Sequence, residues 1–294
     1  MIRISPGACA RVLFGVVTAL VLASVPAPLF RFVWGHDHVY GFVPFADRVF
    51  HLSNEATPAA WFSALALAAC ALVLVLIGRT ARASGDRYAR HWTALGWIFL
   101  YLSLDEASAL HERTSGPLRA LLGTGQALFL AWVIPATVIV AILGVTYLRF
   151  VIALPTRTRT LVVAAGAMYV GGALGMEFIE SYALGTMGVA AYDASATRVV
   201  LTHIEETMEM AGTVVFLYAL LDHIGARTGG TLQLAFERAA PHGPARPRSS
   251  DVDGAADVGG SQSAAGRTPR SLLSTARPGR SSGSQATPPP ARHP

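Results

Sequence analysis

The chain contains no lysine: all 23 of its basic residues are arginine. Together with its abundant alanine, this points to a GC-rich bacterial genome, an inference about codons and not about chemistry. Charge of either sign is scarce, at 14% of 294 residues against a usual share of about 25%. So few charges cannot cover the surface of a water-soluble enzyme. The 52% of hydrophobic residues likewise excludes a disordered or fibrous chain up to about residue 225. Only two cysteines occur, Cys9 and Cys70, both beside or within apolar runs, so no disulfide framework is implied. No strand precedes a glycine-rich loop, which removes a phosphate-binding loop from consideration. Ser108 beside His111 does not make a nucleophilic triad.

What is present is apolar length. Six stretches approach the roughly 20 helical residues that cross a bilayer core of about 30 Å. They cover residues 11–30, 58–78, 92–112, 127–148, 160–184 and 199–221. The fold class expected is all-α: a polytopic bundle of about six transmembrane helices over 1–224, followed by a disordered tail over 225–294. Ala23-Ser24-Val25 resembles a signal cleavage site. The apolar run continues to Phe30, which favours a retained helix, bent at its outer end by Pro26 and Pro28. The tail is rich in Arg, Ser, Gly and Pro and has no aromatic residue after Phe236, so it cannot bury enough apolar area to offset its ordering entropy.

The arginines set an orientation. Arg3 and Arg11 precede the first stretch, Arg79, Arg82, Arg87 and Arg90 follow the second, Arg149, Arg157 and Arg159 follow the fourth, and Arg227 and Arg238 follow the sixth. The positive-inside rule places these segments in the cytoplasm. Both termini are then cytoplasmic, in a bacterial inner membrane. The formal charge of +5 reflects this topology and the tail, so no nucleic-acid partner is expected. Membrane lipid is the expected partner, and the oligomeric state stays open. Aromatic residues of the first outer loop, from Phe32 to Phe45, suit a membrane-interface belt, with His36, Asp37 and His38 as further donors there.

The acids are concentrated. Eight of the eighteen fall in three windows: Asp105, Glu106 and Glu112; Glu177 and Glu180; Glu205, Glu206 and Glu209. At 1.5 Å per residue, Asp105 lies roughly 20 Å, Glu112 roughly 30 Å and Glu177 roughly 25 Å from the cytoplasmic side. Glu205 to Glu209 lie one to three turns below the outer surface. Three helices therefore bring acids to the outer third of the membrane. On a continuous helix, Asp105, Ser108 and Glu112 share a face, and Glu106 points away from it. Gly171, Gly172 and Gly175 permit a helix break in the fifth stretch.

An acid at the middle of a membrane helix costs roughly 2.5–3.5 kcal/mol. Eight of them need neutralising, by bound metal or by shared protons. Carboxylates with imidazoles suit Fe, Mn or Zn as a divalent cofactor. The candidate metal ligands are Asp105, Glu106, Glu112, Glu177, Glu205, Glu206 and Glu209. Asp105, His111 and His203 are the candidate catalytic groups, and Glu55, Ser108 and Glu180 the candidate supporting residues. The chain lacks the Glu-x-x-His spacing of bundle di-metal sites and the His-x-x-x-His clusters of membrane desaturases.

The pattern Asn54-Glu55 before Pro58-x-x-Trp61, Asp105-Glu106-x4-His111-Glu112, Gly175-x-Glu177 and Glu205-Glu206-x-x-Glu209-Met210-x-Gly212 resembles a group of bacterial multi-pass membrane proteins with no activity attached. The resemblance covers about residues 50–221. It implies the membrane architecture and no reaction. The functional expectation is a metal-dependent membrane enzyme, an oxidoreductase or a hydrolase, acting on a lipid or other apolar substrate. A proton- or cation-coupled transporter is the first alternative and a structural or assembly protein the second.

Overall fold

The computed structural model describes residues 5–33, 42–124 and 129–229. The chain separates into two units, Met1–Ala235 and Phe236–Pro294, and everything described belongs to the first. Of the expected tail, only residues 225–229 are described; the others lie outside the described residues, as do His36, Asp37 and His38.

Every described element is helical, with no strand among the described residues. The order is α1 (Pro6–Ser24), α2 (Pro26–Val33), α3 (Phe42–Phe50), α4 (Pro58–Ala83), α5 (Ala89–Ser108), α6 (Leu110–Leu122), α7 (Val133–Ala153), α8 (Thr156–Val170), a π-helical turn (Gly171–Met176), α9 (Glu177–Met187), α10 (Val189–Asp193) and α11 (Ala196–Arg227). Three starts are capped by hydroxyls. Ser5, Thr57 and Ser195 accept from the backbone N–H of Ala8, Ala60 and Arg198, and proline follows the cap in α1 and α4. The α1–α2 bend falls at Val25, next to Pro26, as the prolines require.

Four helical segments are long and apolar enough to cross a membrane: Pro6–Phe32, Pro58–Ala83, Val133–Ala153 and Thr156–Met187. Six were expected. The remaining two, α5 and α11, are helices of 20 and 32 residues, so length is not the difference. They carry Asp105 and Glu106, and Glu205, Glu206 and Glu209, which lower their apolar character. α11 also runs to Arg227, past the expected domain boundary at 224.

Small residues let the helices approach closely, as membrane bundles require. α4 and α5 run antiparallel. A Cβ on Gly78 would stand 2.5 Å from Thr93 Oγ1, and one on Gly96 3.3 Å from Ala71 O; Ser103 Oγ donates to Ala64 O at 2.8 Å. α11 runs antiparallel to α8, where a Cβ on Gly212 would meet Tyr169 N at 2.8 Å and Ala165 O at 3.0 Å. One apolar core joins Leu74, Trp92, Phe150, Phe216 and Leu220. A smaller one joins Val17, Leu52, Met210 and Val214. On α7, Val138, Ile139, Ile142, Val145 and Leu148 are exposed, and only Val133 and Phe150 of that helix are buried. So continuous an apolar face is suited to lipid.

Candidate functional site

The expected third span is two helices. α5 ends at Ser108, and Ala109 takes the left-handed conformation with φ +44°, after which α6 begins. A left-handed alanine is strained by roughly 1–2 kcal/mol, so something must hold it. Asp105 does. Its Oδ1 accepts from the backbone N–H of His111 at 3.0 Å and its Oδ2 from His111 Nδ1 at 2.7 Å. The carboxylate thus caps α6 and fixes the His111 ring, which packs against Trp132 with centroids 4.4 Å apart. With Nδ1 donating, Nε2 is the ring nitrogen left with a lone pair, and it has no hydrogen bond among the described residues.

This overturns one expectation. Asp105, Ser108 and Glu112 do not share one helix face, because the chain turns at Ala109; Ser108 closes α5, and Glu112 stands exposed in the first turn of α6. Both oxygens of Asp105 accept from His111, so the carboxylate orients that ring.

The fifth span is continuous but carries the π turn at its glycines, where a break was allowed for. Thr158, Ala165 and Gly172 are buried at steps of seven. Glu177, Ser181 and Leu184 continue the buried stripe. The step from Gly172 to Glu177 is five, the span of a π-helical hydrogen bond. On a regular helix Glu177 would sit about 140° round from Gly172. The π turn therefore puts Glu177 on the packed face, where it is 8% exposed. Its Oε2 has no hydrogen-bond partner among the described residues, and neither has Trp132 Nε1, although Trp132 is a neighbour of Glu177. Glu180 accepts from Thr202 Oγ1 at 3.1 Å, tying α9 to α11. Ser181 Oγ accepts from Leu130 N at 3.0 Å.

α11 brings the third set. A Cβ on Gly172 would stand 2.8 Å from Glu209 Cγ and 3.0 Å from Glu205 O, so the absence of a side chain there makes room for Glu209. Glu209 has Glu206, Glu106, Glu177 and Asp105 as charged neighbours. Glu206 has Glu106, Glu112, Glu180 and Glu177, and Glu205 has Glu177 and Glu180. Glu106, expected to point away, is thus among them. Among the described residues no group of three or more His, Cys, Asp or Glu is arranged to hold a metal ion.

His203 does something else. Its Nδ1 donates to Val199 O at 2.7 Å and its Nε2 lies 2.8 Å from Ser24 Oγ. Both nitrogens are hydrogen-bonded, and they join α11 to the end of α1. Glu55 forms an exposed ion pair with Arg113 at 3.2 Å, linking the start of α4 to α6. His51, between α3 and α4, is buried. Burial first, then the Arg198 guanidinium, pushes its pKa below the ordinary value.

Sequence reasoning missed Trp132 and Tyr169, and the role of Ser24 as the partner of His203. Tyr169, on α8, has Glu209, Glu106 and Asp105 as neighbours. The available signal was a polar-tipped aromatic inside an apolar run. No curated protein and no solved structure matches the chain. A family model described as "Domain of unknown function (DUF8692)" matches residues 11–224, from the first helix to near the end of α11, and the chain belongs to that family.

Proposed function

We propose that the protein is a bacterial inner-membrane enzyme, with both termini cytoplasmic, that carries out proton-transfer chemistry in the outer half of the bilayer on a lipid or other apolar substrate. The Asp105–His111 pair carries this reading. A carboxylate holds one ring nitrogen at 2.7 Å and leaves the other free, the arrangement of an oriented general base. Glu177, buried with an unbonded oxygen, is the companion acid. Glu106, Glu205, Glu206 and Glu209 share the protons or cations that neutralise so many like charges. The opposite half of the bundle is filled by the apolar core around Leu74, Phe216 and Leu220. A site reaching one side suits catalysis better than a transporter, which needs a path across.

The donor types suit Fe, Mn or Zn, and Glu106, Glu112, Glu177, Glu205, Glu206 and Glu209 are the residues that would hold such an ion. Among the described residues no three of these groups are arranged to hold a metal ion, so the reaction proposed is acid–base chemistry of the side chains. Elemental analysis of wild type beside Glu209→Gln bears on this directly. Stoichiometric metal lost in the variant would replace simple acid–base chemistry with a metal-assisted reaction.

The test of the enzyme reading compares lipids extracted from cells producing wild type, His111→Asn and Glu177→Gln at equal protein levels. Lipid species that appear with wild type and vanish in both variants support the proposal. Identical mass spectra from all three oppose it.

A further inference from the structure

At the arginine-rich end, away from the acid windows, the turns after α4 and α7 and the last turns of α11 enclose a cleft of about 500 Å³, inside the roughly 300–1,000 Å³ range of small-molecule sites. One wall is apolar and aromatic, formed by Trp92, Phe150 and Leu154. His223 lines the cleft and is 4% exposed, and its Nε2 has no partner among the described residues. Its Nδ1 lies 3.3 Å from Thr158 Oγ1. With that hydroxyl donating to Nδ1, Nε2 carries the ring hydrogen and is a buried donor in want of an acceptor, a costly state for a site with no ligand.

Arg157 supplies a second donor. Its Nε bonds Asp222 at 3.0 Å and its Nη2 bonds Tyr218 Oη at 2.7 Å. Its Nη1 has no bond among the described residues. Arg227 is held by Asp86 at 2.9 Å. The charges of the cleft therefore nearly cancel, two arginines against two aspartates, and it does not act as a general anion trap. Recognition rests on directed donors beside an apolar wall. That combination fits an amphiphile with a phosphate oxygen at its polar end.

We propose that this cleft binds one membrane phospholipid, its phosphodiester accepting from His223 Nε2 and Arg157 Nη1 and one acyl chain leaving the cleft over the exposed Ala153 and Pro155. Basic pockets between membrane helices bind lipid headgroups in this way. The site is independent of the acids, so its failure would leave the enzyme reading standing.

The experiment uses the full chain in detergent. Dioleoylphosphatidylglycerol, diolein and inorganic phosphate are titrated separately, and the thermal midpoint and native mass spectrum are recorded. The expected result is a raised midpoint and one bound phospholipid with phosphatidylglycerol only. His223→Leu and Arg157→Gln each weaken that binding by about tenfold, the loss of one charge-assisted hydrogen bond. Should His223→Leu fail to fold, Arg157→Gln, at an exposed side chain, carries the test alone. An equal shift with inorganic phosphate would make this a free-phosphate site and overturn the proposal. An equal shift with diolein would make it an unselective apolar groove and overturn it too. Wild-type affinity in Arg157→Gln would do the same.

Discussion

Asp105 joins two roles that a sequence pattern cannot separate. Its position among apolar residues marks it as costly and therefore functional, but the structure spends both its oxygens on His111. Asp105→Ala should unpair the start of α6 as well as the ring. A charge-assisted hydrogen bond contributes about 1.5–3 kcal/mol, so the thermal midpoint in detergent should fall by several degrees, and Asp105→Asn should recover part of it. Ala109 offers a second test. Glycine inside a helix costs about 1 kcal/mol relative to alanine, yet at φ +44° Ala109→Gly should be neutral or stabilising. A loss of midpoint would mean that α5 and α6 are one helix after all. His51 gives a pH dependence. Its folded pKa lies below the ordinary 6.5, so the unfolded chain takes up the proton first as pH falls. Its contribution to stability is full above about pH 6.5 and is lost progressively below it. Midpoints measured from about pH 8 down to about pH 5 should decline by a step that His51→Gln lacks.

Among the elements, the π turn matters most to the site. It takes up one extra residue, and so turns Glu177 onto the packed face without breaking the span. Gly172 within it leaves room for Glu209. Gly172→Ala should push against the α11 backbone at Glu205 O and against Glu209 Cγ, costing about 1–3 kcal/mol as overpacking does. Gly166→Ala, where nothing lies within 4 Å of the added Cβ, should be neutral or stabilising. Equal midpoints for both variants would contradict the close packing of α8 and α11. The sequence showed which helices carry acids and that the glycines relax the fifth span. It did not show the break at Ala109, because alanine gives no turn signal and Asp105 caps α6 from six residues upstream of His111. It did not show the role of His203 either, since its partner Ser24 is 179 residues away.

At the scale of the molecule, hydropathy read the apolar lengths well and counted spans less well. Helices α5 and α11 are long enough, but their acids take them out of the set recognisable by apolarity alone. Glu206 and Glu209 lie within electrostatic reach of Glu106 and Glu177, and the sequence offered only a shared depth. In the reading proposed above, Glu177, turned inward by the π turn, and Glu206 of α11 belong to one site. Residues that interact show coupling of about 0.5–3 kcal/mol, while distant ones add within about 0.5 kcal/mol. The most direct measurement is a double-mutant cycle on thermal stability with Glu177→Gln, Glu206→Gln and the pair. Each single change removes a buried acid from like neighbours and should raise the midpoint. The double variant should gain clearly less than the sum, because either change already lowers the cost of keeping the same cluster neutral. Additive effects, or single variants no more stable than wild type, would contradict the claim.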